Sequence, residues 1–234
     1  MKTAIVITGN IRTWNECKDN FIKSFGHLNA DIFASTYDLQ YEYHPAQKRW
    51  MGGSPDVYLS FEEITNMLDG INLIGLDYEK INDARNDYHQ FKSKLHPVFQ
   101  NDSGNYFQYR KLKRVVDMVT LNETKNQIKY DNIIKLRFDI HYNIFNYDIT
   151  QNIVIISTGE TYPNDVMFAT TRDNFIKLTE FYINEIQTPI YSDSHLHPPH
   201  NLFLRGFNYC NLNIHEENIT EYIVRKTGKQ YWNR

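Results

Sequence analysis

A chain of 234 residues with 41% hydrophobic and 23% charged residues has ordinary globular usage, which excludes a disordered or fibrous chain and allows one sizeable core. A formal net charge of −3 and a pI near 6.3 give no general attraction to nucleic acid or anionic lipid. Cys17 and Cys210, the two cysteines, match no CxxC or zinc spacing, so a reducing, cytoplasmic compartment is expected, and no apolar run approaches the about 18 residues of a membrane span.

Thr3 to Thr8 (TAIVIT) is a continuous apolar and β-branched run ending at Gly9-Asn10, the pattern of a buried parallel strand and its turn. Trp14, Cys17, Phe21 and Phe25 then recur at three and four residues, as one stripe of a helix requires. Asp31 to Thr36 reads as a second strand, parallel to the first by right-handed crossover. Tyr37 to Tyr58, rich in aromatics, Gly and Pro, reads as a long loop. Ser60 and Glu63 form a capping-box pattern for a helix to about Leu68, followed by a strand near Asn72 to Leu76. Asp77 to Ser103 carries little pattern. Tyr106 to Lys125 reads as a long helix with a basic cluster, Arg110, Lys111, Lys113 and Arg114, expected to be a solvated face.

Asn132 to Phe138 is the next strong strand, with Asp139 at its carboxyl end. Strands at Asn152 to Ser157 and Val166 to Thr170 follow. Thr170 with Asp173 predicts a capped helix through Ile186, and Gln187 to His200 a polar loop. The alternation predicts a mostly parallel α/β sheet, whose ligands bind beyond the carboxyl ends of the strands.

Three motifs fall at that end. In Thr8-Gly9-Asn10-Ile11-Arg12, glycine permits close backbone approach, the helix start offers free N–H groups to an anion, and Arg12 is suited to a phosphate; the competing account is a plain turn. In the segment 135–141 (KLRFDIH), period two puts Lys135, Arg137 and Asp139 on one side and Leu136, Phe138 and Ile140 on the other. Two cations and a carboxylate suit a diphosphate with Mg²⁺ or Mn²⁺; the competing account is an edge strand with a solvated face. Finally, Asp165, Asp193 and His200 are candidates for the base that takes a proton from an acceptor hydroxyl, against a polar surface loop as the alternative.

The segments AIVITGNIRTWNEC, NADIFASTYD, NIIKLRFDI and NDVMFATTRDNF, in that order, resemble small GT-A-type glycosyltransferases found in capsule gene clusters and large DNA viruses. The resemblance implies a single GT-A-like (Rossmann-like) domain with a mostly parallel central sheet flanked by helices. It implies a nucleotide-sugar-binding half at 1–140 and an acceptor half at 141–234. Thr8, Gly9 and Arg12 would hold the nucleotide, Asp38 would approach the base or ribose, and Arg137 with Asp139 would take the place of the metal motif, with His215 completing the metal site. The usual Asp-x-Asp is broken here, since position 137 is Arg. The implied activity is metal-assisted transfer from a nucleoside diphosphate sugar to a glycan or other hydroxyl. The alternatives are a sugar nucleotidyl or phosphoryl transferase, disfavoured by the absence of a Walker loop, and a non-catalytic carbohydrate-binding module.

Overall fold

The computed structural model describes residues 1–41, 57–95, 100, 103–157, 167–187, 198–225 and 228–231. In chain order the elements begin with β1 (Thr3–Thr8), α1 (Trp14–Phe25), β2 (Asp31–Tyr37), β3 (Leu39–Tyr41), β4 (Val57–Tyr58), α2 (Phe61–Met67), β5 (Leu73–Glu79) and α3 (Ile81–Phe91). They continue with α4 (Ser103–Asn126), β6 (Asn132–Leu136), β7 (Ile140–Tyr142), β8 (Ile153–Ser157), β9 (Phe168–Thr171), α5 (Arg172–Gln187), α6 (Pro198–Tyr209), β10 (Asn213–Glu217), β11 (Thr220–Arg225) and β12 (Gly228–Tyr231).

Seven strands form the central sheet in the order β10-β8-β9-β6-β1-β2-β5. This is the expected α/β architecture, a mostly parallel sheet flanked by helices. The alternation of each strand feeds two cores. Ile5, Ile7, Ile32, Ala34, Ile134 and Leu136 pack under Trp14, Phe21 and Phe25 of α1 and Ile64 of α2. Ala4, Val6, Phe33, Ile133, Val154, Ile156 and Phe168 pack against α4, α5 and α6. Covered on both faces, β1 is buried from Ala4 to Thr8, which is why it reads as an unbroken apolar run.

β1 has β2 on one side and β6 on the other, both parallel to it. The chain leaves β1 toward β2 and leaves β6 toward β8 and β10, so a topological switch point opens between the carboxyl ends of β1 and β6, where such sheets have a crevice.

The structure departs from the sequence reading at several places. β9 runs antiparallel to both β6 and β8. The weakly patterned stretch holds the end of β5 and all of α3. Part of the expected 37–58 loop is a β3–β4 ribbon, and the remainder lies outside the described residues. The expected polar loop gives way to α6 at Pro198. The Ser60 capping box forms: Ser60 Oγ accepts from the Glu63 N–H at 3.2 Å, and the Glu63 carboxylate accepts from the Ser60 N–H at 2.7 Å. The Thr170 hydroxyl instead donates to the Ile153 carbonyl at 2.9 Å, and α5 begins at Arg172. No helix among the described residues is long and apolar enough to cross a membrane.

Candidate active site

The switch-point crevice is built from the two turns that leave β1 and β6. Gly9 has φ +116°, a value that favours glycine, and a Cβ placed there would have no atom within 4 Å. The turn therefore has open space above it, while its amide is tied to the Ser35 carbonyl at 3.2 Å. Thr8, just before it, is buried. The Arg12 carbonyl accepts from Gln40 Nε2 at 3.0 Å, and Trp14 fixes the start of α1 by donating from Nε1 to the Met67 carbonyl at 2.9 Å.

On the β6 side the strand ends at Leu136, yet the alternation persists: Leu136, Phe138 and Ile140 all enter the α1 core. Tyr142 clips the turn. Its Oη accepts from the Arg137 N–H at 2.9 Å and donates to the Arg137 carbonyl at 3.1 Å. Burial pushes the Tyr142 phenol well above its ordinary range, so it stays neutral. Lys135 is 1% exposed and β6 is an interior strand, which removes the edge-strand account of this segment.

Arg137 and Asp139 face each other across the turn. Arg137 donates from Nε to Oδ1 at 2.9 Å and from Nη2 to Oδ2 at 2.8 Å, a bidentate pair. Arg12 reaches the same carboxylate, with Nη1 3.7 Å from Oδ2. Asp139 is 2% exposed, so the pair is held in a poorly solvated place. Cys17 lies against it; burial first, and the Asp139 charge second, push its thiol up to about 12. It is a protonated core residue rather than a nucleophile. Two guanidiniums thus converge on one carboxylate beside the open space at Gly9.

Of the residues singled out from the sequence, Thr8, Gly9, Arg12, Arg137 and Asp139 are thus brought together. Asp38 stands one strand over, after β2, where its Oδ1 accepts the Ile81 N–H at 2.8 Å and caps α3. His215 does not join Asp139. It lies on edge strand β10, level with Ile155 of β8, which is level with Ala169 of β9 and so with Ile134 of β6. That places it three strand spacings of about 4.8 Å from β6 and five residues short of Asp139, with its ring hydrogen-bonded to Glu217. Asp165 and Asp193 lie outside the described residues. His200 belongs to the first turn of α6.

The geometry at Asp139 does not fit a divalent cation. Both of its oxygens are taken by Arg137, a second guanidinium adjoins it, and among the described residues no three His, Cys, Asp or Glu side chains converge as ligands.

The basic cluster of α4 splits. Lys113 is solvated and pairs with Asp117 one turn on. The other three cations turn inward to β5. Lys111, fully buried, meets Asp77 at 3.0 Å and Glu79 at 3.2 Å and lies 4.1 Å from the centroid of the Tyr37 ring. Arg114 meets Asp77 at 2.7 Å, and Arg110 bridges Glu79 at 2.6 Å and Asp87 at 2.8 Å. Burial alone would raise the Asp77 and Glu79 carboxyls, but Lys111 with Ser35 and Arg114 at Asp77, and Arg110 with Lys111 at Glu79, outweigh it and hold both below the usual range. Tyr142 and this inner network were not found from sequence; extending the period-two pattern past Ile140 identifies Tyr142 as an inward residue.

No family model matches the chain, and no curated protein matches it. Among solved structures it is similar to PaToxG glycosyltransferase, with a TM-score of 0.41 at 12% identity over 89% of this chain and 67% of that one. It is also similar to the galactosyltransferase LgtC in complex with donor and acceptor sugar analogues, with a TM-score of 0.42 at 10% identity over 88% of this chain and 70% of that one.

Proposed function

We propose that this chain is a glycosyltransferase that moves a sugar from a nucleoside diphosphate sugar to a hydroxyl of a glycan or other acceptor. The observation that carries the reading is the convergence of Arg12 and Arg137 beside the open Gly9 turn at the switch point. In the reaction the bond from the anomeric carbon to the diphosphate breaks, and the diphosphate keeps the electron pair. A new bond forms from the anomeric carbon to the acceptor oxygen, whose proton passes to a base. Charge grows on the leaving diphosphate, where preorganised guanidiniums stabilise it most. A neutral-sugar-binding module needs no such pair of guanidiniums.

The residues gathered at the crevice all lie within 1–140, in keeping with a donor half. For the base the sequence offers Asp165, Asp193 or His200, and for contact with the base or ribose Asp38. No step is assigned to a metal. A thermal-shift panel of nucleoside diphosphate sugars tests the reading. A ligand at 100 times its Kd adds about 2.7 kcal/mol, which for a chain of this size raises Tm by roughly 5–10 °C. A selective rise with one sugar nucleotide is the expected result, and a flat panel contradicts the proposal.

A further inference from the structure

We propose that the groove between α5 and the carboxyl end of α6 binds a neutral sugar residue of a glycan, at a site apart from the switch-point crevice. Lys177, Glu180, Phe181 and Asn184 recur at three and four residues along α5 and so form one stripe of the helix. Tyr209, which ends α6, and Asn211 just after it line the same cavity of about 520 Å³, a size ordinary for small-ligand sites. The two helices approach closely because Gly206 carries no side chain: a Cβ there would meet the Tyr182 ring at 2.5 Å. One turn further on, Tyr209 is 66% exposed, yet its ring stacks on the buried Phe181 ring with centroids 4.8 Å apart and 29° between the planes. The core therefore backs an aromatic platform that stands in solvent.

A sugar ring has an apolar face of C–H groups and a rim of hydroxyls that both donate and accept, and the groove offers a counterpart to each. Tyr209 gives the flat apolar surface. Asn184 and Asn211 are exposed, each carries an amide donor and an acceptor, and among the described residues their side chains take part in no hydrogen bond. Glu185 lines the same cavity with its side chain 3% exposed. Its Oε2 accepts from Arg205, whereas its Oε1 is buried with no hydrogen-bond partner among the described residues, a lack that a ligand hydroxyl would fill. Charge argues for a neutral ligand. Arg205 offsets Glu185, and the other charged groups of the lining, Lys177 and Glu180, are of opposite sign, so the groove has no net attraction for an anion. The crevice, where Arg12 and Arg137 converge, has a different character and shares no residue with the groove. Sugar binding here needs neither a donor nor a transfer step, so it is independent of the glycosyltransferase reading.

The test is amide-detected NMR of the full chain, titrated to about 10 mM with the uncharged trisaccharides maltotriose, cellotriose, mannotriose, xylotriose and chitotriose and with the anionic trigalacturonate. It is repeated for Tyr209→Ala, Tyr209→Phe and Asn184→Ala. The expected result is a saturable shift of the Asn184 and Asn211 side-chain amide signals with at least one uncharged trisaccharide. Tyr209→Ala should weaken that binding about tenfold or more, while Tyr209→Phe stays within about threefold, because stacking uses the ring and not the hydroxyl. If Tyr209→Ala fails to fold, Asn184→Ala, an exposed helix position, carries the test with a loss of about threefold or more read at Asn211. The proposal is overturned if no uncharged trisaccharide moves either amide, or if binding ignores both Tyr209→Ala and Asn184→Ala. A response to trigalacturonate alone overturns the neutral class, and a saccharide that shifts Gly9 but neither Asn side chain places the sugar in the crevice instead. Each of these results leaves the nucleotide-sugar panel to decide the glycosyltransferase reading by itself.

Discussion

The crevice between β1 and β6 and the network between β5 and α4 are built from the same materials and placed differently. In the network three cations, Arg110, Lys111 and Arg114, meet Asp77 and Glu79 of the edge strand β5 and Asp87 of α3. In the crevice Arg12 and Arg137 meet Asp139, at the point where the sheet's winding reverses. Buried ion pairs between a helix and a strand fix how the two pack, whereas guanidiniums gathered at the open end of a parallel sheet stand where such sheets bind ligands. The place of each cluster in the sheet, rather than its mere burial, separates structure from function.

The largest expected effect lies in the network. Asp77→Ala leaves Lys111, Arg110 and Arg114 to share Glu79 and should cost about 3–5 kcal/mol of folding stability, read by chemical denaturation; a loss under about 1 kcal/mol would show that the network is not structural. Acid should act in the same direction. Asp77 and Glu79 titrate lower in the folded state than unfolded, so the unfolded chain binds more protons and the network's contribution, complete at neutral pH, is lost as pH falls below about 4. Asp77→Asn should flatten that part of the pH–stability curve, and an unchanged curve would assign acid unfolding to other groups.

The crevice should respond through backbone geometry at Gly9. Gly9→Ala meets open space yet forces an L side chain to φ +116°, and should cost about 1–3 kcal/mol. No loss would mean that the turn relaxes without strain. At the small end is Lys113→Ala. Lys113 sits beside Lys111 in sequence, but its pair with Asp117 is solvated, with side chains 46% and 60% exposed, so the change should stay within about 0.5 kcal/mol. A larger effect would undo the division of this helix into an inner and an outer set of charges.

What could be read from sequence follows from which forces are local. The strands β1 and β6 announce themselves because both faces are buried, and the Ser60 box because both partners lie within three residues. α3 was missed because its first amide is capped by Asp38, 43 residues earlier in the chain, and because Ile81, Ala84 and Tyr88 are its few buried side chains. The end of β5 was missed because Asp77 and Glu79 face the cations of a helix more than thirty residues further on. At the site, Gly9, Arg12, Arg137 and Asp139 were legible from strand-end position. Their mutual arrangement was not: spacing suggested a metal at Asp139, whereas the turn after Leu136 folds Arg137 back onto it. His215 was assigned to the same site by resemblance alone, and the pairing of β10 with β8 carries it to the far edge of the sheet.

The most direct measurement compares two quantities in wild type, Arg12→Met and Asp77→Ala: the unliganded Tm, and the rise in Tm produced by the nucleoside diphosphate sugar that wild type prefers. The account predicts that Arg12→Met keeps its unliganded Tm within a few degrees and loses most of the ligand-induced rise. Asp77→Ala should lose unliganded Tm heavily and keep the rise. The reverse pattern, with Arg12→Met destabilised but still responsive and Asp77→Ala stable but unresponsive, would place the ligand at the β5–α4 network and contradict the assignment of the donor to the switch-point crevice.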